Sequence, residues 1–437
     1  MKDDNKDSSF GLIPSNWEVA KLGDIFESIG NFSYTRADLK NELDEGCVFY
    51  IHYGDIHATY SQIILDFSKE KNIPVLKEDI VLPAAVEYLK NGDLVIADAS
   101  EDYEGIGKCI ELTNIGNKKV IGGLHTIILR DKCRKTFDGY RGYLLRNNIV
   151  SKELRRIATG TSVYGITKSN LSRVNLLLPP LPEQKKIADI LTTVDDKLEN
   201  IESQIAEYTN LKTGLMQLLL TKGIGHTKFV DSELGMIPEG WKVVKLGDIG
   251  EFSKGKGISK SDVVSNGIPC IRYGEIYTVH HYVVKKFYSY ITKEVAANSK
   301  LLNKNDILFA GSGETVEDIG KAIAYIGDEE AYAGGDTIIF SPKEDDSVFL
   351  SYCLNDKTVT SQRVKFGQGN SVVHIYSKDL CKLFVPKPPI KEQQKISNIL
   401  NAVDDKIESL QQKKEEFTNL KKGLMEQLLT GRIRVKV

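Results

Sequence analysis

The chain has 437 residues, 41% hydrophobic and 27% charged, with a formal net charge of −2. That is enough apolar material for two or three cores, and the near-neutral balance excludes a uniformly basic nucleic-acid coat or a polybasic membrane binder. No run of about 18 apolar residues reads as a membrane span, the opening MKDDNKDSSF lacks the apolar stretch of a signal peptide, and six scattered cysteines without a C-x-x-C pair read as reduced cytosolic thiols.

Along the chain, residues 7–27 (DSSFGLIPSNWEVAKLGDIFE) return as residues 231–251, with 13 identities in 21 positions. Both tryptophans, Trp17 and Trp241, fall at the same place in this repeat. The apolar runs GCVFYIHYGDI, DLVIADAS and GLHTIILR that follow read as strands broken by Gly and Asp turns. Phe137 to Ala158 has helical spacing. Charge is uneven: 16 acids and 6 bases lie between Asp38 and Glu111, against 11 bases and 3 acids between Arg130 and Arg173. Such a basic stretch can displace counterions from phosphates. It offers Arg146, Arg155, Arg156, Thr161, Tyr164 and Lys168 as DNA-binding candidates, with phosphate contact rather than base reading expected at the Gly160 turn.

From Pro179 the pattern changes. Ile187, Leu191, Val194, Leu198, Ile201 and onward to Leu215 and Leu218 alternate by four and three, which is a coiled-coil seam. Prolines followed by Glu183 suit a helix start, and Gly223 suits its end. About 40 residues at ~1.5 Å each give a rod of roughly 60 Å. Residues 388–430 repeat this segment with 24 identities in 43 positions, and Ile396, Leu400, Val403, Ile407 and Leu424 form the matching seam, broken at Lys414. Packing the two helices antiparallel keeps both stripes dry. Gly214 and Gly423, at matching interior sites, predict either a kink or stop, or a close approach by another helix.

Between the long helices lies a second mixed globule. It shares landmarks with the first: IRYGEI against IHYGDI, IGKAI against IGKCI, and GNSVVHIYSKDL against GTSVYGITKSNL. The offset between copies falls from 224 to 209, so the first variable region is 15 residues longer. The second globule's DNA-binding candidates are Lys254, Lys256, Arg272, Arg363, Lys365 and Asn370. The boundaries read as 1–178 and 226–387 for the globules, with 179–225 and 388–437 for the helices.

No catalytic or metal constellation is present. There is no G-x-x-x-x-G-K-[ST] loop and no HExxH. His280 and His281 read as surface polar residues. Phe309-Ala-Gly-Ser-Gly313 looks like the F-x-G-x-G loop of adenine methyltransferases, but no N-P-P-[YF] loop follows it, so it reads as a loop of the second globule.

Two diverged globules on two near-identical helices, with IPxxWxVxKLGDI twice, PPLPEQKKIADIL and PPIKEQQKISNIL, VDDKxE and TNLKxGLM, resemble the specificity subunit of type I restriction–modification enzymes. The resemblance covers residues 7–433. It implies a mixed α/β fold: two target recognition domains separated by two long antiparallel coiled-coil helices, in a pseudo-twofold internal duplication. Each globule would read one half of a bipartite, asymmetric double-stranded DNA target. The helices would set the gap between the halves and dock two methyltransferase subunits, with two motor–nuclease (restriction) subunits joining. The chain itself would be non-catalytic, with no cofactor of its own; S-adenosylmethionine, ATP and Mg would belong to partner subunits. The competing readings are a type IIB-like DNA-reading subunit and a duplicated coiled-coil scaffold without a DNA role.

Overall fold

The computed structural model describes residues 5–44, 46–369 and 372–436. The chain forms two compact units: the residues up to Glu202 together with those from Gln412 onward, and Ser203–Gln411. Both long helices form as the seam spacing predicts, over Leu181–Lys222 and Ile390–Leu428. Each unit therefore holds the first part of one helix and the last part of the other.

The first unit is built on a five-stranded sheet. Its order is Phe26–Ile29, Thr126–Asp131, Leu94–Ala97, Cys109–Thr113, Ile64–Asp66. A smaller four-stranded sheet has the order Lys119–Gly122, Val48–Ile51, Val75–Leu76, Leu39–Lys40. The second unit repeats this with a four-stranded sheet in the order Gly250–Lys254, Thr337–Pro342, Ile307–Ala310, Ala322–Ala324. The registers agree, with Thr126 opposite Ala97 and Thr337 opposite Ala310. Phe309 lies in a fully buried strand, so the FAGSG segment begins as sheet interior rather than loop. The helical stretch after Phe137 is two helices, Arg141–Arg146 and Asn148–Ile157. The Asn147 side chain caps the second by accepting from Val150 N–H at 2.9 Å.

Each globule is tied to the start of the long helix that follows it. In the first unit Trp17 Nε1–H donates to Glu183 at 3.1 Å, and Arg434 grips the same carboxylate with bonds of 2.7 and 2.8 Å. In the second, Trp241 Nε1–H donates to Glu392 at 3.1 Å, joined by Ile224 N–H and the His226 ring. Gln184 accepts from Phe137 N–H and Gln393 from Asp346 N–H, at 2.8 and 2.9 Å. The repeated Glu-Gln pair is thus a buried clamp, both residues of the first copy being 1% exposed.

The same units show how the helices meet. In the first unit Asp195 and Glu202 pair with Lys421 and Lys414, at 2.5 and 2.9 Å, which makes the helices antiparallel. In the second, Lys212 pairs with Asp404 at 2.5 Å. A globule tyrosine completes each pair, Tyr143 donating to Asp195 and Tyr352 to Asp404, both at 2.6 Å. Lys414, which interrupts the apolar stripe, is an interhelix ion-pair partner.

Candidate nucleic-acid interface

Three loops meet at one place on each globule, held by the same bonds in both. The first is a capped turn. Thr35 N–H donates to Asp38 and Ser259 N–H to Asp262, each at 2.7 Å, so Arg36 and Lys260 stand exposed at equivalent tips. The second is the repeated landmark, carrying His52-Tyr53 in one copy and Arg272-Tyr273 in the other. The third is a glycine turn, in which Thr126 Oγ1–H donates to Gly123 O and Thr337 Oγ1–H to Gly334 O, both at 2.6 Å. Gly123 N–H and Gly334 N–H reach Ile51 O and Ile271 O, both at 2.9 Å. The turn presents His125 in one copy and Asp336 in the other, both exposed and both at φ +57°. Holding a non-glycine residue there costs on the order of 1 kcal/mol.

The frame is shared, but what fills it differs. In the first globule three histidine rings gather around Tyr53. Its centroid lies 4.8 Å from His52, 5.2 Å from His125 and 6.4 Å from His57. Burial, then the Arg36 charge, pushes the His52 ring below its ordinary pKa. Asp98 sits 3.3 Å from His125 Nδ1, and burial raises its carboxyl against the pull of that ring. In the second globule the same place is an open groove of about 840 Å³, lined by Lys260, Arg272, Tyr273, Thr278 and Asp336 among others. Arg272 contacts Glu275 through its terminal nitrogen at 3.4 Å, while its buried Nε has no hydrogen-bond partner among the described residues.

Three second-globule candidates converge here. Lys254 and Lys256 are exposed, and the strand carrying them runs into the groove through Gly255 N–H to Thr337 O (2.9 Å) and Lys256 N–H to Ala333 O (3.1 Å). Lys365 is exposed elsewhere, on the short 3-10 turn Val364–Phe366. Arg363 is a correction. It is 3% exposed, and its guanidinium donates to Gly320 O and Leu354 O at 2.9 and 3.0 Å. Burial lowers it to about 10, and it occupies the core position that Leu154 fills in the first copy, so DNA cannot reach it. Asn370 lies outside the described residues.

In the first globule Thr161, Arg156 and Lys168 are exposed, whereas Arg146, Arg155 and Tyr164 are half-buried. Arg155 pairs with Glu104, and Arg156 with Glu153 at 2.8 Å. The Tyr164 ring lies 5.3 Å from Tyr103, whose hydroxyl donates to Arg155 O. Tyr164-Gly165 pairs with Ala99-Ser100, and His57 Nε2 meets Ala99 O at 3.0 Å, so this turn adjoins the ring cluster. The basic stretch is thinner than its composition suggests. Arg130 is committed to Asp93 and Glu87, Lys135 to Glu18, and Arg141 is buried against Asp138 and Thr136. Sequence reasoning did not select His52, Tyr53, His57, His125 or Asp336. Part of the signal was in the IHYGDI and IRYGEI match, where His52 and Arg272 differ at this surface, while the other differing pair, Asp55 and Glu275, is buried.

On the long helices, Ile187, Leu191, Ile396 and Leu400 are buried in the globule cores, and Val194 and Val403 are also buried. Leu198, Leu215, Ile407 and Leu424 are half-buried. Gly214 and Gly423 are exposed, with no described residue within 4 Å of where a Cβ would stand, so no helix among the described residues approaches them closely and neither helix stops there. Leu211, Leu218 and Leu420 beside them are nearly half exposed. His280, by contrast, is 2% exposed rather than a surface residue. No helix among the described residues is long and apolar enough to cross a membrane, and no group of three potential metal ligands forms among them.

The family model described as "Type I restriction modification DNA specificity domain" matches residues 14–208 and 238–419. The chain is 31% identical to the putative type I restriction enzyme MjaX specificity subunit of Methanocaldococcus jannaschii, covering all of this chain and 98% of that one. It is 28% identical to the MjaVIII specificity subunit of the same organism, over all of this chain and 97% of that one. The crystal structure of a type I restriction–modification S subunit from M. genitalium has the same fold, with a TM-score of 0.61 at 16% identity over 94% of this chain and 96% of that one.

Proposed function

Because the chain belongs to the type I restriction modification DNA specificity family, we propose that it reads a bipartite, asymmetric DNA target, one half-site with each globule, and directs partner subunits to it. The observation that carries this is the duplicated frame. The Trp–Glu and Gln–backbone clamps, the capped and glycine turns and the central strand register recur in both copies, while exposed residues on the frame differ. A body of this kind suits two different half-sites and two like partners.

Lys254, Lys256 and Lys365 in the second globule, and Arg156, Thr161 and Lys168 in the first, supply phosphate contacts, which position the duplex without reading it. Two methyltransferase subunits dock on the exposed leucines around Gly214 and Gly423, where the open space would admit a helix of a partner. Two restriction subunits complete the assembly. S-adenosylmethionine, ATP and Mg act in those partners, and this chain contributes recognition rather than chemistry. The functional division is 1–178 and 226–387 for the reading globules, with 179–225 and 388–437 as spacer and docking segments.

The test is to map methylated bases in cells carrying the partner genes with and without this chain. A two-part methylated sequence that vanishes without the chain is expected. Methylation that persists unchanged would rule the role out.

A further inference from the structure

We propose that the residues on the three-loop surface are the base readers, and that in the second globule Arg272 reads a guanine while Asp336 accepts from a cytosine amino group. This rests on the DNA-reading role proposed above and names the residues that perform it.

The equivalence of the two surfaces is fixed by bonds, not by sequence similarity alone. Asp98 N–H donates to His125 O at 3.0 Å, and Gly311 N–H to Asp336 O at 2.7 Å. His57 Nε2 meets Ala99 O, and Tyr277 Oη–H donates to Ser312 O, both at 3.0 Å. These bonds recur in both copies, yet the side chains at the surface change class, His52 to Arg272 and His125 to Asp336, while His57 and Tyr277 turn inward to the carbonyls they meet. At the turn both copies keep a left-handed φ of +57° and an exposed polar residue, His125 in one and Asp336 in the other.

The chemistry follows from the groove. A guanine edge offers two acceptors, O6 and N7, to an arginine, and a cytosine offers its N4 amino group to a carboxylate. Arg272 lines the groove, and among the described residues its terminal nitrogens make one hydrogen-bond contact, a long one of 3.4 Å to Glu275, so donors remain for a base edge. Asp336 is exposed across the same groove. Lys254 and Lys256 flank it, where phosphates would lie. The first globule has rings and His125 in these places and no carboxylate at the tip, so its half-site differs in bases.

The experiment uses the assembled complex with its methyltransferase partner. Arg272→His and Asp336→His install the first globule's residues. Each is expected to reduce discrimination at one G·C pair of a single half-site by roughly 10-fold to 100-fold, leaving the other half-site and the salt dependence of Asp336→His unchanged. Lys254→Ala with Lys256→Ala should instead weaken all sequences alike. Should a variant fail to assemble, the wild-type complex is titrated with DNA carrying 7-deazaguanine at each guanine in turn, and one position must lose at least about tenfold. If the wild type shows a two-part target but both variants keep its base preferences, or no deazaguanine position matters, this assignment fails alone. If the wild type shows no base preference in either half, the DNA-reading role fails with it.

Discussion

Two buried ionisable residues, one in each unit, respond to pH in opposite directions. Glu111 in the first unit is 1% exposed, and its carboxylate accepts from Gly139 and Gly142 N–H at 2.5 and 2.8 Å. Burial outweighs those bonds and raises it from 4.5 to about 7. A raised carboxyl favours folding in its protonated form, so its contribution is fully present below pH 4.5 and is lost as pH climbs through 7. His280 in the second unit is lowered by burial from 6.5 to about 4. Its contribution is present above pH 6.5 and is lost as pH falls toward 4. We expect Glu111→Gln to gain on the wild type by up to about 3 kcal/mol between pH 4.5 and 8. We expect His280→Tyr, which installs the residue of the first copy (Tyr60), to gain by a similar amount on acidification. Denaturant unfolding across pH would show this, and pH-independent differences would refute it. Neither residue was legible as a titrating group. A strand glutamate or a paired histidine reads as surface from composition, and only the packing of the sheet against its helices decides otherwise. Arg363 is the same case: one residue in a helical run looks alike whether it faces water or replaces Leu154 in the core.

At the scale of elements, the long helices were legible because period-3.5 spacing over 40 residues has few other readings. What the spacing could not say is which partner each stretch meets, since a seam looks the same against a globule or a helix. Ile187 and Leu191 went to the globule, while Asp195 and Glu202, outside the stripe, meet the other helix. Glu183 was read as a dipole-favoured acid at a helix start, yet it accepts from both Trp17 and Arg434. Glu183→Ala strands a buried indole N–H and a guanidinium, and should destabilise the first unit by about 3 kcal/mol. Glu199→Ala, which loses an exposed contact with Lys69 at 3.5 Å, should cost under about 1 kcal/mol. Equal midpoints for the two variants would contradict the clamp. The glycines call for a different test. Gly214→Phe with Gly423→Phe meets open space, so the chain should stay folded, while binding of the methyltransferase partner, followed by gel filtration, should be lost. An intact complex would place docking elsewhere.

For the whole molecule, the duplication was visible in the sequence, because the two anchors of each copy keep the Trp, Glu and Gln residues whose clamp bonds recur. The reading surface was not, because its residues are those that fail to repeat. This division of labour predicts how the molecule behaves when parts are exchanged. Residues 28–178 meet the rest of their unit through a shared core and many polar contacts, three of which recur in the other copy: strand Asn175–Leu178 on Glu18–Lys21, Phe137 N–H on Gln184, and the Tyr143 hydroxyl on Asp195. The second globule makes the same three contacts, with Phe384–Lys387 on Lys242–Lys245, Asp346 on Gln393, and Tyr352 on Asp404. A foreign globule that supplies such a strand, backbone N–H and tyrosine should therefore fold onto the existing frame. Its own three-loop surface would replace His52, His57 and His125 and leave Arg272 and Asp336 untouched. Replacing 28–178 in this way should change one half of the methylated sequence and preserve the other half. Mapping methylated bases before and after the exchange decides the matter: a change in both halves would mean that the globules do not read independently.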